Sequence, residues 1–350
     1  MRLVVSGGGT GGHFFPALEV LRRATDGGVD TLFVGSERGI EKKLKDSIPG
    51  EKLFLRSYPF RGVSLKDRIR ASLSLLGGCV SLWGKLKKPF RSLVFGGYTS
   101  APVGLVTVFK GAGLYIHEQN SIPSMTNRML FPMAEKVFIT FEYTRRFFRG
   151  KKVIRTGLPV RGSLLGSRLC RERAKELLGF DPSAKLVLFM GGSQGARTLN
   201  TLGVELARRI GIQVLILSGE RDYRRTSELA KELGNVKVFP FREDMALLYS
   251  ACDVAVCRAG ASTITELSLY GVPSLLIPYP YATEDHQYYN AKEIEELGGA
   301  VVLKEEDVSP SVIVSAVERV LSEAESMGEA VRSFANPRAV DLILEEILEK

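Results

Sequence analysis

Tryptophan occurs once in these 350 residues, at Trp83, and histidine three times, at His13, His117 and His286. So few imidazoles leave few candidates for a step that needs a group titrating near neutral pH. The four cysteines, Cys79, Cys170, Cys252 and Cys257, are scattered. No two have metal-ligand or redox spacing, so reduced thiols are expected. Asp-x-Asp does not occur, so no metal is expected to carry charge on a diphosphate, and no cofactor is expected. Apolar runs are too short for a membrane span, and those near the N-terminus are too broken by glycine for a signal peptide. A protein inside the cell is therefore expected.

What is present suffices for two globular domains. The chain is 45% hydrophobic and 25% charged, and its length allows two cores of ordinary size. A net charge of +9 suits nucleic acid, an anionic membrane or acidic substrates, and only its distribution chooses among them. From Arg56 to Arg91 there are nine Lys or Arg against one acid, Asp67, interleaved with Phe60, Val63, Leu65, Ile69, Leu73, Leu75, Leu76, Val80, Leu82 and Trp83. Cations beside apolar groups at near-helical spacing predict a face that docks on an anionic membrane surface, with Leu76, Trp83, Lys85, Lys87 and Lys88 in it. The competing reading is a core-facing helix with a solvated basic side. Neither an aromatic-studded strand nor a recognition-helix pattern accompanies the charge, so nucleic acid is not expected as a partner.

Arg2 to Ser6 reads as a strand, Gly7-Gly8-Gly9-Thr10-Gly11-Gly12-His13 as a glycine-rich loop, and Phe14 to Ala24 as a helix. A dinucleotide site would use Glu37, after the strand Thr31 to Val34, as its ribose acid. His13 suggests more than binding, because at a helix start its neutral form is favoured and can take a proton. Further strands end in Gly96-Gly97-Tyr98-Thr99-Ser100 and in His117-Glu118-Gln119-Asn120, so polar groups collect at one edge of the sheet. After Pro159-Val160-Arg161 the chain turns polar and basic, which sets a domain boundary at 161. The pattern then restarts with the strand Lys185 to Met190, the loop Gly191 to Arg197 and a helix to Ile210. Strands follow at Gln213 to Leu217, Val236 to Phe239, Val254 to Cys257 and Ser274 to Ile277. The fold class is thus α/β, two Rossmann-like doubly wound domains, 1–161 and 162–336, with the site expected in a cleft between facing strand edges. The helical segments after Ser309 break near Asn336-Pro337, and residues 337–350 are expected to pack back on the first domain.

In Asp253 to Asn290, strand, turn, helix, strand and loop succeed one another. Gly260 is expected to permit a tight turn, and Ala261, Ser262 and Thr263 to present backbone N–H groups to a phosphate at a helix start. Glu266, one turn on, could accept two hydrogen bonds from the vicinal hydroxyls of a ribose. The alternative is an ordinary helix cap with a solvated glutamate.

The motifs Gly-Gly-Thr-Gly-Gly-His, Gly-Gly-Tyr-x-Ser, His-Glu-Gln-Asn, Pro-Val-Arg, Gly-Gly-Ser-Gln-Gly-Ala-Arg and Arg-x-Gly-Ala-x-Thr-x-x-Glu stand in this order between Val4 and Asn290. Together they resemble the MurG family of peptidoglycan N-acetylglucosaminyltransferases. The resemblance implies a GT-B fold, UDP-N-acetylglucosamine as donor and membrane-bound lipid I as acceptor. It further implies a peripheral place on the cytoplasmic face of the inner membrane, and contact with other cell-wall synthesis proteins. Carried over by motif, Arg161, Ser193 and Gln194 lie near the donor diphosphate, Arg242 and Met245 at the uracil, Ser262 and Thr263 at the phosphate, Glu266 at the ribose and Gln287 at the sugar. His13, Thr10, Tyr98 and Asn120 fall on the acceptor and catalytic side, with Thr99 and Ser100 beside them, while Thr10, Gly11, Gly12 and Asn120 also count among the donor contacts. Leu158 and His286 depart from residues common in the family. For the base His13 leads, with Glu118 and His117 behind it. Two other readings stay open, a related transferase acting on another lipid or natural product and a nucleotide-sugar-binding module without transfer.

Overall fold

The computed structural model describes residues 1–58, 65–150, 152–192 and 195–348, with side chains from residue 69 onward in the helix that starts at Leu65. By packing, the chain divides into two units, Met1–Arg161 with Pro337–Lys350, and Gly162–Asn336.

The first unit is built on seven strands, β1 (Arg2–Ser6), β2 (Asp30–Ser36), β3 (Glu51–Leu55), β4 (Phe90–Val94), β5 (Gly113–Glu118), β6 (Lys136–Ile139) and β7 (Lys152–Arg155). They form a parallel sheet in the order β3-β2-β1-β4-β5-β6-β7. Parallel pairing requires a crossover after each strand, so both faces of the sheet are covered and its central strands are apolar on both. Leu3 and Val5 on β1 and Leu93 on β4 accordingly enter one core, while Val4 and Val94 enter another on the opposite face. The terminal helix Ala339–Leu348 lies over the first of these cores, burying Ile343, Leu344 and Ile347 with Leu18 and Leu21 of the helix Gly11–Asp26. Its polar side is held by Arg23–Asp341 at 2.8 Å and Lys136–Glu346 at 2.6 Å.

The second unit repeats the plan with β8 (Leu186–Met190), β9 (Gln213–Leu217), β10 (Val236–Phe239), β11 (Val254–Cys257), β12 (Ser274–Leu276) and β13 (Ala300–Val302), parallel in the order β10-β9-β8-β11-β12-β13. β8 reads Leu-Val-Leu-Phe-Met and is buried throughout, as a central strand covered on both faces must be. Both units are thus Rossmann-like and doubly wound. In each, the strand order reverses beside the first strand, between β1 and β4 and between β8 and β11. Loops leaving the carboxyl ends there diverge to opposite faces and open a crevice. These are the loops that carry the glycine-rich motifs.

Candidate active site

In the first unit the loop after β1 runs into the helix Gly11–Asp26, whose N-cap is Thr10. The Thr10 side chain does not cap the helix. Its Oγ1 lies 3.1 Å from His13 Nδ1 and so orients the half-buried imidazole. The loop after β4 comes up alongside, and a Cβ on Gly96 would lie 3.3 Å from His13 Nε2. Gly97 has φ of 78°, and a Cβ there would meet the Gly8 carbonyl oxygen at 2.6 Å, so only glycine lets the two loops approach this closely.

A residue that the sequence did not single out, Glu41, holds this loop. Its carboxylate is fully buried and accepts from Gly9 N at 3.1 Å and from Ser36 N at 2.8 Å. Gly8, Gly35 and Gly39 crowd around it. That glycine cluster was the available signal, but nothing in the sequence says that the glycines converge on one carboxylate.

Three expected site groups are buried. Glu118 has no exposed surface, and its carboxylate accepts from Gln119 N at 3.0 Å, Asn120 N at 3.1 Å, Ser124 N at 2.9 Å and Asn127 Nδ2 at 2.7 Å. Burial pushes its pKa up to about 7 against those hydrogen bonds, which lower it. It folds the Gln119–Ser124 loop and sets the position of half-buried Asn120, but a hydroxyl arriving from solvent does not reach it. His117 is likewise buried, stacked on Phe95, with Nε2 3.0 Å from the Gly157 carbonyl and Nδ1 3.2 Å from Gln119 Nε2. Burial lowers its pKa to about 4. Thr99 and Ser100 are inside as well, Ser100 Oγ donating to the Gly96 carbonyl at 2.7 Å, so only Tyr98 of that trio presents a side chain at the site. Glu37, the ribose acid of a dinucleotide reading, is exposed and pairs with Arg56 at 3.3 Å. His13 thus stands alone among the three base candidates in being accessible.

In the second unit Gly260 is the N-cap of the helix Ala261–Tyr270 with φ of −70°, a conformation open to any residue. The expected tight turn is therefore not what it provides. A Cβ here would meet nothing closer than 3.9 Å, and the bare backbone leaves the helix start open. Ser262 and Thr263 occupy the first turn, half-buried, with no acid beside them. Glu266 follows, accepting from Tyr249 Oη at 2.8 Å. Asn290, fully buried, donates to the Ala259 carbonyl at 3.1 Å, and Gln287 Oε1 accepts from Tyr279 N at 3.0 Å. Glu284 and Asp285 sit just before Gln287 with φ of 53° and 52°. Two successive non-glycine residues in the left-handed region cost of order 1–3 kcal/mol each, a strain typical of functional sites that no sequence pattern announces. Arg242 is bound by Asp244, Nε to Oδ1 at 2.7 Å, over the Phe239 ring, with half-buried Met245 opening the next helix. Arg161 is half-buried at the end of the first unit. Ser193 and Gln194 lie outside the described residues.

The helix Leu65–Lys85 faces the core on one side and leaves an apolar stripe exposed on the other. It buries Ala71 and Leu82, yet exposes Ile69, Leu73, Leu76, Val80 and Trp83, the last two at 69% and 52%. Their spacing puts them in one stripe. Lys85, Lys87 and Lys88 are exposed at its end, and Lys110 lies 4.7 Å over the Trp83 ring beside exposed Phe109. Phe60 and Val63 lie outside the described residues. Among the described residues no helix is long and apolar enough to cross a membrane.

Known proteins match this arrangement along its length. The glycosyltransferase family 28 N-terminal domain matches residues 3–139 and the family 28 C-terminal domain residues 186–343. The UDP-N-acetylglucosamine–N-acetylmuramyl-(pentapeptide) pyrophosphoryl-undecaprenol N-acetylglucosamine transferase of Aquifex aeolicus is 45% identical over 99% of both chains. The protein of the same name from a Sulfurihydrogenibium species is 36% identical over 99% of this chain and 98% of its own. The crystal structure of Acinetobacter baumannii MurG superposes with a TM-score of 0.79 at 28% identity, covering 100% of this chain and 99% of that one. With both domains of family 28 matched and such relatives alike from end to end, the chain belongs to the MurG family of glycosyltransferases.

Proposed function

We propose that this protein transfers N-acetylglucosamine from UDP-N-acetylglucosamine to the muramyl 4-hydroxyl of lipid I, giving lipid II in peptidoglycan synthesis. The observation that carries the mechanism is that half-buried His13 stays accessible at the switch point of the first sheet, while Glu118 and His117 are fully buried. His13, its Nδ1 engaged by Thr10, receives the hydroxyl proton on Nε2 as the hydroxyl attacks the anomeric carbon. UDP leaves and configuration inverts from α to β. Tyr98, Asn120 and the backbone of Gly11 and Gly12 surround the acceptor and the transferred sugar. The helix start at Ala261, Ser262 and Thr263 in the second unit, with Ser193, Gln194 and the first unit's Arg161, takes up the charge of the departing diphosphate. Glu266 holds the ribose hydroxyls, Arg242 and Met245 border the uracil, and Gln287 contacts the sugar.

The lipid-linked acceptor fixes where the enzyme works. The exposed stripe Ile69, Leu73, Leu76, Val80 and Trp83, ringed by Lys85, Lys87, Lys88 and Lys110, docks peripherally on anionic headgroups at the cytoplasmic face of the inner membrane. The test of the activity is UDP release from UDP-N-acetylglucosamine with and without a lipid I analogue, together with chromatography of the lipid product. Release that requires the acceptor and yields the disaccharide lipid supports the reading. Binding of the nucleotide sugar with no acceptor-dependent release would reduce the protein to a binding module.

A further inference from the structure

A recess of about 760 Å³ opens on the first unit between the ends of β2 and β3 and the helix Leu65–Lys85. Three guanidiniums line it, those of Arg38, Arg56 and Arg70, against the single carboxylate of Glu37, and its helix side is kept low by Gly77 and Gly78. Arg38 is fixed over the Tyr58 ring, 4.4 Å from its centroid, with Nη2 donating to Tyr58 Oη at 3.0 Å. Two features give the recess a direction. Arg56, Tyr58 and Ser74 also line a smaller hollow that reaches Tyr98, and so the neighbourhood of His13. Leu73, 65% exposed and a member of the apolar stripe, also lines the recess.

We infer that this recess binds the diphosphate of the lipid-linked acceptor, its arginines on the phosphate oxygens and the prenyl chain leaving over Leu73 onto the stripe. This rests on the transfer reading above and names where its acceptor is anchored. Three arginines against one glutamate leave an excess of two positive charges among these lining residues, which matches one negative charge on each phosphorus of a diphosphate diester. Guanidinium forks suit phosphate oxygens, which they can bind in pairs. An acceptor peptide also carries anionic groups, but its carboxylates have no need of an adjoining apolar exit, and a prenyl diphosphate does.

The test compares wild type with Arg56→Ala and Arg70→Ala, both exposed side chains whose loss leaves the fold standing, on two acceptors, lipid I and its peptide-free muramyl-diphospho-prenyl counterpart. Each variant is expected to raise the KM for both acceptors about 10- to 100-fold, as loss of charge-assisted hydrogen bonds does, with the Kd for UDP unchanged. Geranyl diphosphate is expected to inhibit wild type competitively against the acceptor, and the variants at least tenfold more weakly. An unchanged acceptor KM in both variants overturns the inference while leaving the transferase reading intact. A rise seen only with the peptide-bearing acceptor also overturns it, assigning the arginines to peptide carboxylates. Absence of transfer by wild type overturns the reading beneath it.

Discussion

Replacing Glu41 by alanine removes a fully buried carboxylate that accepts from two backbone N–H groups, part-buried Gly9 N at 3.1 Å and buried Ser36 N at 2.8 Å. A hydrogen bond to a charged group contributes about 1.5–3 kcal/mol, and a buried donor left without a partner incurs a cost of the same order. Two such bonds put the expected destabilisation at about 3–6 kcal/mol. Gly8, Gly35 and Gly39 line the vacated volume without a side chain to fill it, which adds to the loss. The sole tryptophan, Trp83, lies in the first unit, so its fluorescence follows unfolding of that unit alone. At a urea slope of about 2 kcal/mol per M the midpoint should fall by roughly 1.5–3 M. Turnover should fall as well, because the loop that aims His13 loses its anchor. A midpoint within about 0.5 M of wild type, at unchanged slope, would refute the claim that Glu41 braces the glycine-rich loop.

Four further outcomes follow from the site. His13→Ala should lower kcat by about 100- to 10,000-fold with little change in UDP affinity, and a rate within a few-fold of wild type would remove it as the base. Glu266→Ala should weaken UDP binding by about 2–3 kcal/mol in calorimetry; equal affinity would leave Glu266 a helix residue held by Tyr249. His117 is held neutral, Nε2–H donating to the Gly157 carbonyl and Nδ1 accepting from Gln119, with its pKa lowered from the usual 6.5 to about 4. A lowered folded-state pKa gives stability that is full above pH 6.5 and lost as the pH falls toward 4, about 3 kcal/mol in all; an equal acid slope for wild type and His117→Gln in urea titrations would contradict this. Glu in place of Lys85, Lys87 and Lys88 should release the protein from anionic vesicles at low salt, each lysine contributing about 1 kcal/mol near the surface, and Leu76→Ser with Trp83→Ser should remove the salt-insensitive remainder. Wild type that ignores such vesicles at every salt concentration would move the docking face elsewhere.

Local sequence determined a great deal here. Two glycine-rich loops, each between an apolar run and a helical period, and the restart of that pattern at Lys185, were sufficient for two doubly wound domains, because a parallel sheet demands strands apolar on both faces and a helix after each. The edge strands β3 and β13 were not legible. β3 opens on two charged residues and β13 has three residues, so neither carries the long apolar run of a central strand. The motif order likewise identified the family. Tertiary structure decided which polar residues of those motifs face solvent. Glu118, His117, Thr99 and Ser100 stand within a few residues of half-buried Asn120 and Tyr98, but alternation at strand ends and the turn that follows point them inward, where they brace the loops. Glu41 reaches Gly9 across 32 residues, and a contact at that separation has no local signature. The same holds for the helix Leu65–Lys85. Its composition predicted a basic and apolar face, but which of its apolar side chains cover the core and which are left exposed depends on how the helix packs on the rest of its unit, something that only the folded chain determines.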